Sequence, residues 1–209
     1  MSSTIDAAAV TAFHDDELAR PGWPAPRPAD GLSGPWRAID ANHRFNCLLW
    51  QEEDRARRVD VPPSEIATSK RLIDRYNQQR NDAVEQIDEA LLALLGLDEP
   101  APGARLSSET PGAMIDRLSI LALKIHHMRQ QTERSEAGRE HVQACGARLQ
   151  RLISQRHDLA ACLDQLLHEA RAGQSYFKVY RQFKMYNDPA LNPYLYGGAG
   201  GAHGGKGLA

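Results

Sequence analysis

The stretch from PPSE at 62–65 to Leu95 most constrains what this chain can become, because it keeps a helical period throughout and stops at Gly96, a residue suited to ending a helix. At ~1.5 Å per residue such a helix spans roughly 45 Å, which is long for a globular protein. Its stripe is Ile66, Lys70, Ile73, Asn77, Arg80, Val84, Ile87 and Leu91, flanked by Asp74, Asn81 and Asp88. The last two turns are apolar and the first four are not. A rod of this kind points to a helical bundle, and three further seams supply the partners.

Pro35 in a first turn, with Ser33 as its cap, opens a helix to about Arg58. Trp36, Ile39, His43, Asn46, Trp50, Glu53 and Arg57 form its stripe, and Phe45, Leu48 and Leu49 lie on the other side, which predicts a central position. Thr110 caps a third helix, with Pro111 in its first turn and Met114, Leu118, Leu121, Ile125 and Met128 as its seam. Val142, Cys145, Leu149, Leu152, Leu159, Leu163 and Leu166 mark a fourth, interrupted only by Arg156 and closed at Gly173. The expected helices are 34–58, 64–95, 111–131 and 136–172, with no sheet. The fold class is all-α: a bundle of four main helices with a short N-terminal helix and a C-terminal aromatic and basic segment.

The short helix, capped by Ser3 or Thr4, precedes a proline-rich stretch that Trp23 pins to the bundle. Residues 1–32 therefore read as helix and linker, 33–196 as one helical domain, and 197–209 as a glycine-rich flexible tail. The aromatic and basic segment starts as a helix after Gly173 and is stopped by Asn187-Asp188-Pro189.

At 209 residues the chain has length for one core of ordinary domain size. Apolar residues at 42% and charged residues at 25% are ordinary globular usage, and a net charge of -2 argues against nucleic acid as the main partner. Cys47, Cys145 and Cys162 are odd in number and widely spaced, so they read as reduced, mostly buried residues. The first twenty residues lack the basic leader and apolar core of a secretory signal, and no stretch approaches the ~18 apolar residues of a membrane span. A cytoplasmic protein is expected.

The polar residues on the inward stripes carry the functional signal. His43 and Glu53 are the acid-base candidates, since histidine titrates near neutrality and burial tunes carboxylates. Asn46, Asn77 and Asn81 suit hydroxyl groups, while Arg57, Lys70 and Arg80, with Asp74 among them, suit an anionic ligand. Lys184, Tyr186 and Asn187 are placed to close such a pocket from the C-terminal segment. Buried charges are often no better for stability than apolar substitutes, so stability alone explains such a stripe poorly. The competing account is structural: Glu53 and Arg57 as an i,i+4 pair, His43 and Asn46 with satisfied core hydrogen bonds, and the first half of the long helix facing solvent or a partner.

HRFNCLLWQEEDRAR (43–57), KRLIDRYNQQRNDAVEQID (70–88), DRLSILALKIHHM (116–128) and FKVYRQFKMYNDPALNP (177–193) together resemble the bacterial DUF4254 family, over about residues 33–196. That family has no established activity, and the resemblance suggests an envelope polysaccharide context. The expectation is a helical protein with a polar, anion-compatible ligand site between its first two long helices, for a small anionic metabolite such as a phosphorylated or nucleotide-linked sugar. One alternative is a non-catalytic adaptor for a protein partner such as a glycosyltransferase. Another is a magnesium-dependent nucleotide pyrophosphatase, from the ExxD spacing of Glu85 and Asp88. Its companion ExxE is missing, because Glu52, Glu53 and Asp54 are consecutive and Ala56 stands three beyond Glu53. No metal or cofactor is assigned.

Overall fold

The computed structural model describes residues 5–26, 31–97, 99–182, 188 and 190–193. Within them lie α1 (Ala7–Ala19), α2 (Pro35–Ala56), α3 (Pro63–Leu95), α4 (Pro111–Thr132) and α5 (Arg139–Arg171), and the class is all-α. Residues Met1–Val179 form one compact unit and Tyr180–Ala209 a second. In the second, the Asp188 carboxylate accepts from the Ala190 N–H at 2.8 Å. Lys184, Tyr186 and Asn187 lie outside the described residues.

Helix ends follow the local chemistry with three exceptions, the first at α1, where Asp6 rather than Ser3 or Thr4 is the cap and accepts from the Ala9 N–H at 2.8 Å. Thr110 accepts from Ala113 N–H at 3.2 Å with Pro111 in the first turn, and Gly96 ends α3 in the left-handed region at φ 63°. Ser33, however, is not the cap of α2: Gly34 occupies that position and makes no side-chain cap bond. Ser135–Ala137 form a separate 3-10 turn, and α5 starts only after Gly138, whose φ of 78° breaks the path.

The segment after Gly173 differs from the expectation of a helical start. Ser175 and Tyr176 pair in parallel with Arg105 and Leu106, which is also a departure from a fold without strands. Gly173 at φ 69° turns the chain away from α5 and lets it run extended beside the loop before α4. A ladder of two residues has no alternating apolar pattern, so nothing in the sequence announced it.

α2 and α3 pack along one another as a hairpin, as do α4 and α5, and α4 also packs against α1, α2 and α3. α4 therefore takes the central place that the two-sided apolar pattern had assigned to α2. It does so with small residues beside large ones: Gly112, Ser119 and Ala122 are buried together with Met114, Ile115, Leu118 and Ile125. Where α4 starts, Gly112 N–H donates to Asp88 of α3 at 2.6 Å. A Cβ on Gly112 would lie 2.6 Å from the Val84 carbonyl oxygen, so this close approach requires glycine.

α1 contributes Val10 and Phe13 to the core shared with Ile39, Ile87, Leu118 and Leu163. It is tied to α5 at its start and again past its middle: Ala7 N–H donates to Asp164 at 2.8 Å, and Arg156 pairs with Asp15 at 2.7 Å. Arg156, the single interruption in the α5 seam, is thus the anchor for α1. The first halves of α3 and α5 bury little; on α3 only Ser69 and Ile73 are buried before Ala83, and on α5 only Cys145 before Leu159.

Candidate functional site

A polar chain crosses the interior between α2 and α4. Asn42 and Asn46, one turn apart, both donate to Asp116 Oδ1, at 2.8 and 2.9 Å. Asn46 gives its other amide hydrogen to Ser119 Oγ at 2.9 Å, and Ser119 Oγ lies 2.7 Å from His43 Nδ1. Asn42, His43 and Ser119 are fully buried and Asn46 nearly so. Two amides, a carboxylate and a hydroxyl arranged so that every short contact has a donor and an acceptor fix one orientation of each side chain.

His43 is enclosed by rings. Its centroid lies 4.5 Å from that of His14 and 5.2 Å from that of Trp23. Burial pushes its pKa down to about 4, and burial, His43 and Arg156, in that order, push His14 well below the ordinary histidine range. Both imidazoles are therefore neutral near pH 7. Trp23 is held by donating to Cys47 Sγ at 3.0 Å and by Arg20 over its ring, and Arg20 in turn pairs with the buried Glu17 at 2.7 Å. The thiol of Cys47 is raised to about 12 by burial, so it is inert and serves as packing.

Outward from this chain lies a cavity of about 270 Å³, walled by α2, α3 and α4. Asn46, Glu53, Arg57 and Arg80 line it, together with Trp50 and Asp54. Arg57 is held by Glu53 at 3.2 Å and Asp54 at 3.4 Å. Arg80 is held far less: its Nε is 3.9 Å from Asp116 Oδ1, its Nη2 is 3.4 Å from Asn81, and its buried Nε has no hydrogen-bond partner among the described residues. A guanidinium offers five donors, and this one uses them poorly. Trp50 and Asp54 also line a second cleft of about 670 Å³ between α2, α4 and α5.

Of the residues singled out in the sequence, Asn46, Glu53, Arg57 and Arg80 therefore meet in one cavity. His43 sits behind them and lines neither cavity, reaching the site only through Ser119 and Asn46. Asn77 and Asn81 are half-buried on α3, and Lys70 and Asp74 are exposed there. Sequence reasoning missed Asn42, Asp116 and Ser119 as members of the polar chain. The signals were present, Asn42 four residues before Asn46 and Asp116 three before Ser119, but each sits inside a seam dominated by apolar residues. Asp88, half of the ExxD pair, is spent on α4: it accepts from Gly112, and burial raises its pKa to about 6. No group of three or more His, Cys, Asp or Glu side chains stands in metal-holding arrangement among the described residues.

The residues that build this site lie within a match over residues 36–179 to the family model described as "Protein of unknown function (DUF4254)". The chain belongs to the DUF4254 family. In this DUF4254 protein the matched span includes all of the polar chain, both cavities, α2 from its second residue, and all of α3, α4 and α5. Comparison with curated proteins and with solved structures returned no significant match. No helix among the described residues is long and apolar enough to cross a membrane.

Proposed function

We propose that this DUF4254 protein binds a small anionic polyhydroxy metabolite, of the phosphorylated-sugar class, in the cavity walled by α2, α3 and α4. One observation carries the reading: the Arg80 guanidinium borders a cavity with its donors largely unspent, in a region where neighbouring polar groups are paired. A half-buried cation without a good acceptor costs stability, and an oxyanion placed in the cavity supplies the missing acceptor. Asn46, locked by Asp116 and Ser119, and the Glu53–Arg57 pair present further polar groups to hydroxyls at fixed positions. His43 acts as a positioning residue, setting Ser119 and through it Asn46.

The test is a thermal-shift titration with glucose 1-phosphate, fructose 6-phosphate and inorganic phosphate. A ligand at ~100 times its dissociation constant adds about 2.7 kcal/mol, which for a chain of this size raises Tm by roughly 5–11 °C. The shift should vanish in Arg80→Met. Failure of every compound to move Tm, or an unchanged shift in Arg80→Met, refutes the proposal.

The exposure of Lys70 and Asp74 favours a second reading for the first half of α3, contact with a protein partner. Charge reversal of this pair, Lys70→Glu with Asp74→Lys, should leave the sugar-phosphate shift unchanged. A lost shift would place these two residues in the ligand site instead.

A further inference from the structure

The 670 Å³ cleft between α2, α4 and α5 has a different chemical character from the Arg80 cavity. Lys124 projects from α4, and Arg148 and Arg151 from the first half of α5, opposite a single lining carboxylate, Asp54. None of the three cations has a hydrogen bond or ion pair among the described residues, whereas Asp54 is shared with Arg57. The wall between them is aromatic. Trp50 and His127 stack with their centroids 4.6 Å apart and their planes 9° from parallel, and both rings line the cleft.

Unpaired cations around an apolar floor of Met128 and Leu152 suit a ligand that is charged at one end and flat and unsaturated at the other. Phosphates are the dianions that such a guanidinium pair takes best, because their oxygens accept paired N–H donors. A planar heterocycle fits the ring wall, since stacking on aromatic faces tolerates any base. The volume is within the ~300–1,000 Å³ typical of sites for small organic ligands, and larger than one phosphate requires.

We infer that this cleft is a nucleoside diphosphate site, with the diphosphate held by Lys124, Arg148 and Arg151 and the base against the Trp50–His127 wall. The inference stands on residues other than Arg80 and holds whether or not the α2–α3–α4 cavity binds a sugar phosphate. Trp50 and Asp54 line both spaces, so a ligand bound in one lies beside the other.

Isothermal titration calorimetry on the full chain with uridine diphosphate, adenosine diphosphate and pyrophosphate tests it. At least one nucleoside diphosphate should bind, and at least about tenfold more tightly than pyrophosphate, the excess being the contribution of the base. The double variant Arg148→Gln with Arg151→Gln, both exposed positions, should weaken that binding by about tenfold or more while leaving Tm without ligand unchanged. Arg80→Met should leave nucleotide affinity within about twofold, even where it abolishes the sugar-phosphate shift. The inference is overturned if neither nucleotide binds wild-type protein, if pyrophosphate binds as tightly as the nucleotides, if the double variant binds normally, or if Arg80→Met loses nucleotide binding.

Discussion

Replacing Gly112 with alanine probes the contact that sets α4 against α3, and thereby the placement of Asp116 and Ser119 further along α4. The added Cβ would stand 2.6 Å from the Val84 carbonyl oxygen and 2.8 Å from Asp88 Oδ1, whereas ordinary contact begins at 3.4 Å. Neither obstacle swings aside, because one is helix backbone and the other is a buried carboxylate bound to this same residue. The start of α4 must retreat by roughly 0.8 Å to restore contact distances, which stretches the 2.6 Å bond from Gly112 N–H to Asp88 to about the limit of a hydrogen bond. Losing a hydrogen bond to a charged group costs about 1.5–3 kcal/mol, and alanine returns up to ~1 kcal/mol through its helix propensity. The net expectation is a loss of about 0.5–3 kcal/mol, or a fall in Tm of roughly 1–12 °C. Gly146 supplies the control: it lies within α5 with nothing within 4 Å of its Cβ position, so Gly146→Ala should gain ~0.5–1 kcal/mol. Differential scanning calorimetry of both variants decides the matter. A Gly112→Ala protein that melts at or above wild type would refute the packing argument.

Three other expectations concern the polar interior. Asn46→Leu leaves Asp116 and Ser119 short of donors and should cost about 1–3 kcal/mol in urea melts, and more if the charge on Asp116 is left unsupported; a neutral result would show that the chain across α2 and α4 is not a structural unit. Arg80→Met should stay within about 0.5 kcal/mol of wild type or stabilise, the pattern of a residue retained for a ligand; a clear loss would return that part of α3 to a purely structural role. Acid should unfold the protein partly through its histidines. His14 and His43 bind protons less readily in the folded state, so below about pH 6.5 the unfolded state gains, by ~3 kcal/mol for His43 as pH falls to about 4. Asp88 opposes this, because its raised pKa makes the folded state bind the extra proton between about 6 and 3.8, so stability rises as pH falls through that window. Urea melts of Asp88→Asn from pH 7 to 4.5 should therefore show a steeper acid loss than wild type, and an equal or shallower loss would contradict the assignment.

The helices were legible because their causes are local. A repeat of 3.6 residues, Pro111 after Thr110, and Gly96 at the end of an apolar turn act on the chain within a few residues, and they set α3 and α4 almost to the residue. Polarity was equally plain at Asn46, Glu53, Arg57 and Arg80. Their meeting in one cavity depended on how α2, α3 and α4 cross, and the period of a single helix carries no term for the helix it will face. The same stripe placed Lys70 and Asp74 beside Arg80 by spacing, yet both side chains are exposed while Arg80 is half-buried. His43 looked like a catalytic base from its neighbours in sequence. It became a buried, neutral ring because α1 and Trp23, from outside that helix, fold over it. Asp116, Ser119, Arg148 and Arg151 are 70 or more residues from the α2 side chains with which they share a polar chain or a cleft. Only the packing of two helical hairpins brings those distances down to bonding range or to opposite walls of one space, which is why the elements belong to the sequence and the site to the tertiary structure.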